Sequence, residues 1–328
     1  KHLALVLAVA MILPAFATAD IKMGVILGFT GPIESLTPDM GGSAEVAFKE
    51  ASDSGLLLGG QKIVSVRADS TCIDNAAATA AAERLVTAEK VAGIMGADCS
   101  GVTTAVANNV AVPNGVPMIS PSATSPALTT IADNGYFFRT APSDARQGQV
   151  LASITVERGI TSVAVTYVNS DYGKGLSDSF GKAFQALGGT VTISVPHETG
   201  KADYSAEVAS MDSAGGDAMA VFGYVNQGGP GIMQASLDSG SFDKFILADG
   251  MYGDDLLTNV EGDLTGTFGT VPGTDSKGAA TYADMANAAG LKGSGPFTGE
   301  SYDAAALLIL AMQSAGSTNG AAIASNVM

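Results

Sequence analysis

The chain has 328 residues, 46% of them hydrophobic and only 15% charged. That length exceeds one compact core and suits two, and that composition excludes a disordered chain. With 16 basic and 32 acidic residues the net charge is −16, which repels nucleic acid and anionic lipid and excludes a polyanion partner; the excess reads as a solubility device or as a docking charge for a basic partner surface.

The chain begins with Lys1 and His2, an apolar run over residues 3–13, Pro14, and the small-residue site Ala17-Thr18-Ala19. This is the pattern of a secretory signal peptide, residues 1–19, cleaved after Ala19. With no initiator Met before Lys1, the sequence is expected to start inside that signal. The run is too short to span a bilayer, and no later stretch is long and apolar enough. An exported chain without membrane insertion is expected. No cysteine stands at the cleavage site, so free periplasmic residence is favoured over a lipid anchor.

Strand and helix signals then alternate. Residues 21–27 (IKMGVIL) read as a buried strand. A helix follows over 39–54, a strand over 62–69 and an alanine-rich helix over 76–89. A strand over 91–96, a helix over 103–112 and a strand over 116–119 complete a first series. The rhythm restarts with a short strand at 136–140 and a helix over 144–158, for which Asp144 is a plausible N-cap. Strands at 162–168, 190–195, 218–222 and 245–248 alternate with helices at 175–187, 204–213 and 231–239. Helices over 281–289 and 302–315 follow. Two such series predict an α/β protein of two doubly wound parallel-sheet lobes. Ligands of parallel sheets sit beyond the strands' carboxyl ends, so facing lobes would share one cleft there. The sequence stops at Met328 in mid-pattern, and further strands are expected beyond it.

The only cysteines are Cys72 and Cys99. In an oxidising compartment they most simply form one disulfide; two free thiols or a metal pair is the alternative. The mature chain has a single histidine, His197, after Pro196 at a strand end, where a surface position is expected. A serine or cysteine triad would need that one residue, and zinc would need more His or Cys ligands than exist. No phosphate-loop motif occurs. No catalytic residue, metal or cofactor is assigned.

Four loops after predicted strands carry candidate binding groups. In the loop at 96–101, Ser100 opens a helix where N–H groups favour a carboxylate, or is a plain N-cap. The loop at 120–126, with Ser122, Ala123 and Thr124, is held by two prolines; it is also a possible surface turn. In the loop at 169–175, Tyr172 could cover a ligand or pack on its own helix start. The fourth site pairs Tyr224, in Gly223-Tyr224-Val225-Asn226, with Asp249, which is either a cleft carboxylate or a turn residue before Gly250.

These residues, in order and spacing, resemble the branched-chain amino acid (Leu/Ile/Val-type) substrate-binding proteins of ABC transporters, of the type I periplasmic binding fold. The likeness begins at Gly31-Pro32, continues through Cys72 and Cys99-Ser100, and takes in Pro121-Ser122-Ala123-Thr124, Tyr172-Gly173-Lys174-Gly175, Gly223-Tyr224 and Asp249-Gly250. It covers nearly the whole mature chain. It implies a hinge between lobe 1 (20–141 plus 272–328) and lobe 2 (142–271), with the end of lobe 2 beyond the sequence. It also implies a disulfide between Cys72 and Cys99. Ser100 and Thr124 would hold a ligand α-carboxylate. The Ser122 carbonyl, the Thr124 hydroxyl and Asp249 would take the ammonium, and Tyr172 and Tyr224 would close over it. The implied partners are a small amino acid and a membrane permease, and the implied state is a monomer. The family usually has Glu at Asp249 and an aromatic residue at Leu36, so branched-chain selectivity is open. Rival readings are the same fold holding an amide, urea or simple carboxylate, a sensor, or an exported hydrolase acting through carboxylates.

Overall fold

The computed structural model describes residues 19–273 and 275–327; the signal peptide assigned to residues 1–19 lies outside them except for Ala19. The first series runs β1 (Ile21–Leu27), α1 (Thr37–Ser54), β2 (Ile63–Asp69), α2 (Asn75–Glu83), β3 (Ile94–Gly96), α3 (Ser100–Val106), β4 (Met118–Ser120) and β5 (Phe137–Arg139). Its strands are all parallel, in the order β2-β1-β3-β4-β5. β1 is buried at every position but Lys22, as expected of an inner strand covered by helices on both faces.

The chain then crosses over through α4 (Asp144–Glu157) to β6 (Ser162–Val168), α5 (Asp171–Ala186), β7 (Thr190–His197), α6 (Ser205–Ala214), β8 (Ala218–Phe222), α7 (Gly229–Ser239), β9 (Phe245–Leu247), α8 (Asp254–Asn259) and β10 (Phe268–Gly269). This second parallel sheet has the order β10-β9-β8-β6-β7. Helices α9 (Lys277–Ala288), α10 (Thr298–Ala315) and α11 (Gly320–Ala324) follow. They return to the first sheet. Leu308 and Met312 of α10 share a buried cluster with Met23, Met40, Ala44 and Phe48, and the Tyr282 hydroxyl of α9 bonds the Ser43 hydroxyl of α1 at 2.6 Å. The chain therefore forms two α/β lobes.

Several local expectations change, each for a chemical reason. The N-cap of α4 is Ser143, whose hydroxyl accepts from Ala145 N–H at 3.2 Å; Asp144 is the first helical residue and its carboxylate is free for other work. Helix α5 starts at Asp171, four residues before the expected position, because the Ser170 hydroxyl caps it through Gly173 N–H. Tyr172 is thus held on a helix rather than a loop. β5, read as the start of the second series, is the edge strand of the first sheet. α2 and α3 end in π-helical turns at Arg84–Ala88 and Ala107–Ala111. His197, expected at the surface, is buried, with its Nδ1 2.9 Å from the Thr166 hydroxyl. β10, α8 and α11 had no counterpart in the sequence reading.

Cys72 and Cys99 form a disulfide across a sequence separation of 27 residues. It ties the loop after β2 to the loop after β3, at the residue preceding Ser100. Loop-closure entropy at that length is about 3.5 kcal/mol. Urea unfolding with and without a thiol reductant is expected to differ by about that amount, with the reduced protein less stable; coincident curves would refute the estimate.

Candidate functional site

The two lobes meet where the strands of both sheets end. Ser100 follows β3, Ser122 and Thr124 follow β4, and Asp144 follows β5. Tyr172, Tyr224 and Asp249 follow β6, β8 and β9. A small cavity between the lobes is lined by Leu36, Ser100 and Ser122 from the first and by Tyr172, Tyr224 and Asp249 from the second. Six of the eight sequence-derived ligand residues thus face a common space. The other two, Ala123 and Thr124, are buried and do not line it.

On the first lobe, the Ser100 hydroxyl accepts from Ser125 N–H at 3.1 Å. The Ser122 hydroxyl donates to the Asp98 carbonyl at 3.2 Å. These bonds bind the loops after β3 and β4 to one another. Arg139 fixes the second loop from behind, donating from Nη1 to the carbonyls of Ala123 and Ser125, each at 2.9 Å. Leu36 is the N-cap of α1 but makes no side-chain cap. A polar residue there would stabilise the helix by about 1 kcal/mol, so this position favours a lining side chain over helix stability. Ile33, Met40 and Phe297 complete an apolar wall beside it.

On the second lobe, the Tyr172 and Tyr224 rings stack with centroids 5.4 Å apart. The Tyr172 hydroxyl donates to Asp249 Oδ1 at 3.2 Å and accepts from Gly250 N–H at 3.2 Å. Gly250 permits this approach. A Cβ there would lie 2.5 Å from the Gly223 carbonyl and 3.0 Å from the Tyr172 hydroxyl.

The lobes are clamped. The Asn226 side-chain carbonyl accepts from Ser35 N–H at 3.3 Å and from the Ser35 hydroxyl at 3.0 Å. Asn226 N–H donates to the Pro32 carbonyl at 3.0 Å, and Asp255 of α8 holds the Asn226 amide at 2.6 Å. On the other side Thr104 donates to Asp171 at 3.1 Å. Gly175 lets α5 approach so closely that a Cβ would stand 2.7 Å from Pro126. In this closed arrangement the cavity measures about 30 Å³, the share of a single water. Small-molecule sites run to roughly 300 Å³ or more, so access requires the lobes to part.

The electrostatics centre on two carboxylates. Burial pushes Asp249 up to about 6, opposed by hydrogen bonding from Gln147 and Tyr172. Asp144 is raised well above the carboxylate range by burial and by the charge of Asp249, against the pull of Thr124 and Arg139. Burial likewise raises the phenols of Tyr172 and Tyr224. Asp144 escaped the sequence reading because an acidic residue in a first helical turn already has a local explanation. Gln147, one turn further along α4, gave no signal of its own.

A family model described as periplasmic binding protein matches residues 20–327. Leu/Ile/Val-binding protein homolog 1 of Brucella abortus (strain 2308) is 30% identical over 308 residues, covering 92% of this chain and 81% of that protein. The crystal structure of a leucine-binding protein LivK from Thermotoga maritima superposes with a TM-score of 0.80 at 26% identity, covering 94% of this chain and 87% of that one. The branched-chain amino acid transporter substrate-binding protein LivJ from Streptococcus pneumoniae, in complex with isoleucine, gives 0.79 at 26% identity, covering 94% and 88%.

The folded value of Asp249 lies above its ordinary 3.8, so its protonated form stabilises the fold. That contribution is present at acid pH and is lost as pH rises through about 6, on the order of 3 kcal/mol in all. The unfolding temperature of ligand-free protein is expected to fall by several degrees from pH 5 to pH 8. Asp249→Asn should flatten that dependence in a scanning calorimeter; an unchanged slope would overturn the assignment.

Proposed function

The chain belongs to the periplasmic binding protein family, and from that premise we propose that it binds a small amino acid by hinge closure and delivers it to an ABC-transporter permease. The observation that carries this reading is the interlobe cavity that brings hydroxyls from one lobe against a carboxylate and stacked phenols from the other. A zwitterion leaving water needs both charges matched, at a cost of several kcal/mol otherwise. Ser100 and Thr124 offer hydroxyl and N–H groups to its carboxylate. The Ser122 carbonyl, the Thr124 hydroxyl and Asp249 receive its ammonium, and Tyr172 and Tyr224 cover it. Ile33, Leu36, Met40 and Phe297 supply an apolar wall suited to an aliphatic side chain.

In this mechanism the open form binds ligand on the first lobe, and closure adds the second. The hinge lies where the chain passes between the sheets, near residues 141–142 and 271–272. The protein works as an exported monomer in the periplasm and carries out no reaction on its ligand. Only the closed form presents both lobe faces together to the permease.

A thermal-shift panel of the standard amino acids, followed by titration calorimetry on those that stabilise, tests the reading. Asp249→Ala is expected to weaken binding by about 2–4 kcal/mol. Ser177→Ala, whose hydroxyl meets Ser194 on the far side of α5 at 2.9 Å, should stay within about 0.5 kcal/mol. Equal affinities for the two variants would refute the role of Asp249.

A further inference from the structure

We propose that His197 is a positioning residue of the second lobe: its ring is the seat of the loop after β8, and through that loop it holds Tyr224 and Asn226 where closure over a ligand needs them. This rests on the hinge-closure reading above and deepens it.

His197 is the last residue of β7, buried, and outside the set that lines the interlobe cavity. Its Nδ1 lies 2.9 Å from the Thr166 hydroxyl of β6. The Tyr204 ring, at the start of α6, stands edge-on to it with centroids 6.5 Å apart. These contacts fix the ring from two sides. A third side is covered by the backbone of the loop. A Cβ on Gly223 would lie 3.2 Å from Nε2 and 3.4 Å from Cε1, and one on Gly228 would lie 3.5 Å from Cδ2. The loop therefore meets the ring at Gly223, where it leaves β8, and again at Gly228, where it enters α7.

The residues between those two contacts are the ones closure uses. Tyr224 covers the cavity and pairs with Gly228 as an isolated bridge. Val225 N–H donates to the Gly250 carbonyl at 2.8 Å, beside Asp249. Asn226 projects to the other lobe, where it grips Ser35 and Pro32. Glycines at both ends of such a loop leave its backbone free unless something packs on them. The imidazole supplies that packing. Burial pushes its titration down to about 4, so at neutral pH the ring is uncharged. It can lie against peptide groups without a counter-ion. The charged groups near it, Glu207 of α6 and Lys201, pair with each other. Nε2 has no hydrogen-bond partner, so the ring supports the loop by shape and contact rather than by a bond.

A loop ordered before closure spares the closed state the entropy of ordering Tyr224 and Asn226. Removing its seat leaves every ligand-touching side chain in place but makes closure costlier. The open form takes ligand on the first lobe, so arrival is indifferent to the loop. Retention depends on it. Loss of the ring should thus appear in the off-rate.

Stopped-flow tyrosine fluorescence of the full chain, which has no Trp, reads both rates. The probe is L-isoleucine, or whichever standard amino acid stabilises the protein most. His197→Ala is expected to raise the off-rate about tenfold and to leave the on-rate within about twofold. Val163→Ala is the comparison: it removes buried packing from the same lobe at the opposite end of β6, and its off-rate should stay near that of the unaltered protein. A merely structural role predicts equal effects of the two. The amide of Asn overlays Nδ1 and keeps the Thr166 contact, whereas that of Gln reaches the Nε2 position beneath the loop. His197→Gln should therefore restore the off-rate more fully than His197→Asn. If the His197 variants fail to fold, Gly223→Ala lifts the loop from an intact ring and must raise the off-rate in the same way. An unchanged off-rate, an equal rise in Val163→Ala, or rescue by Asn rather than Gln overturns the role of His197 and leaves the amino-acid reading standing. Failure of every amino acid to bind the unaltered protein overturns both.

Discussion

Closing two lobes over buried carboxylates is the constraint from which the rest of the cleft follows. A charge taken from water must be matched by donors, and the protein treats its buried aspartates in two ways. Asp98 is satisfied by its own chain: Gly28 N–H and the Ser70 hydroxyl meet its two oxygens at 2.6 and 2.9 Å. It joins the loops after β1, β2 and β3 into one rigid floor. Asp144 is as deeply buried, and its oxygens find no partner, while Asp249 is met by the Tyr172 hydroxyl of its own lobe. The difference separates an aspartate that holds the fold from one that faces the cavity.

The rigid floor matters because a ligand's carboxylate and ammonium are only a few bonds apart. Disulfide, Asp98 network and Arg139 together fix the loops after β3 and β4. The second lobe is built with less redundancy there. Tyr172 bridges Asp249 to Gly250, and the stacked Tyr224 ring covers it. Fixed polar groups on one lobe and a hinged cover on the other are what ordered capture and release require.

Much of this was legible in the sequence because parallel strands buried on both faces write continuous apolar runs. Strands β1, β6 and β8 fall on the residues where those runs lie. The two-lobe fold follows from their alternation with helices, and the family follows from the spacing of the loops. Features set by tertiary contact were not legible. β10 is two residues long and exists only as a neighbour of β9. His197 looked like a strand end beside Pro196; the loop of Gly223 and Gly228 folds over its ring and buries it. Asp144 has the same residue type and local setting whether it serves a helix start or a cleft, and only the crossing of α4 behind the loop after β4 tells them apart.

The loop between β1 and α1 carries two duties. Ser35 is gripped by Asn226 of the opposite lobe, and the adjacent Leu36 is part of the cavity wall. A side chain too wide for the cavity must push Leu36 aside, and Ser35 moves with it out of reach of Asn226. Molecular girth is thereby translated into whether the jaws latch. An oversized solute can still occupy the polar floor, yet the two halves around it remain unlatched.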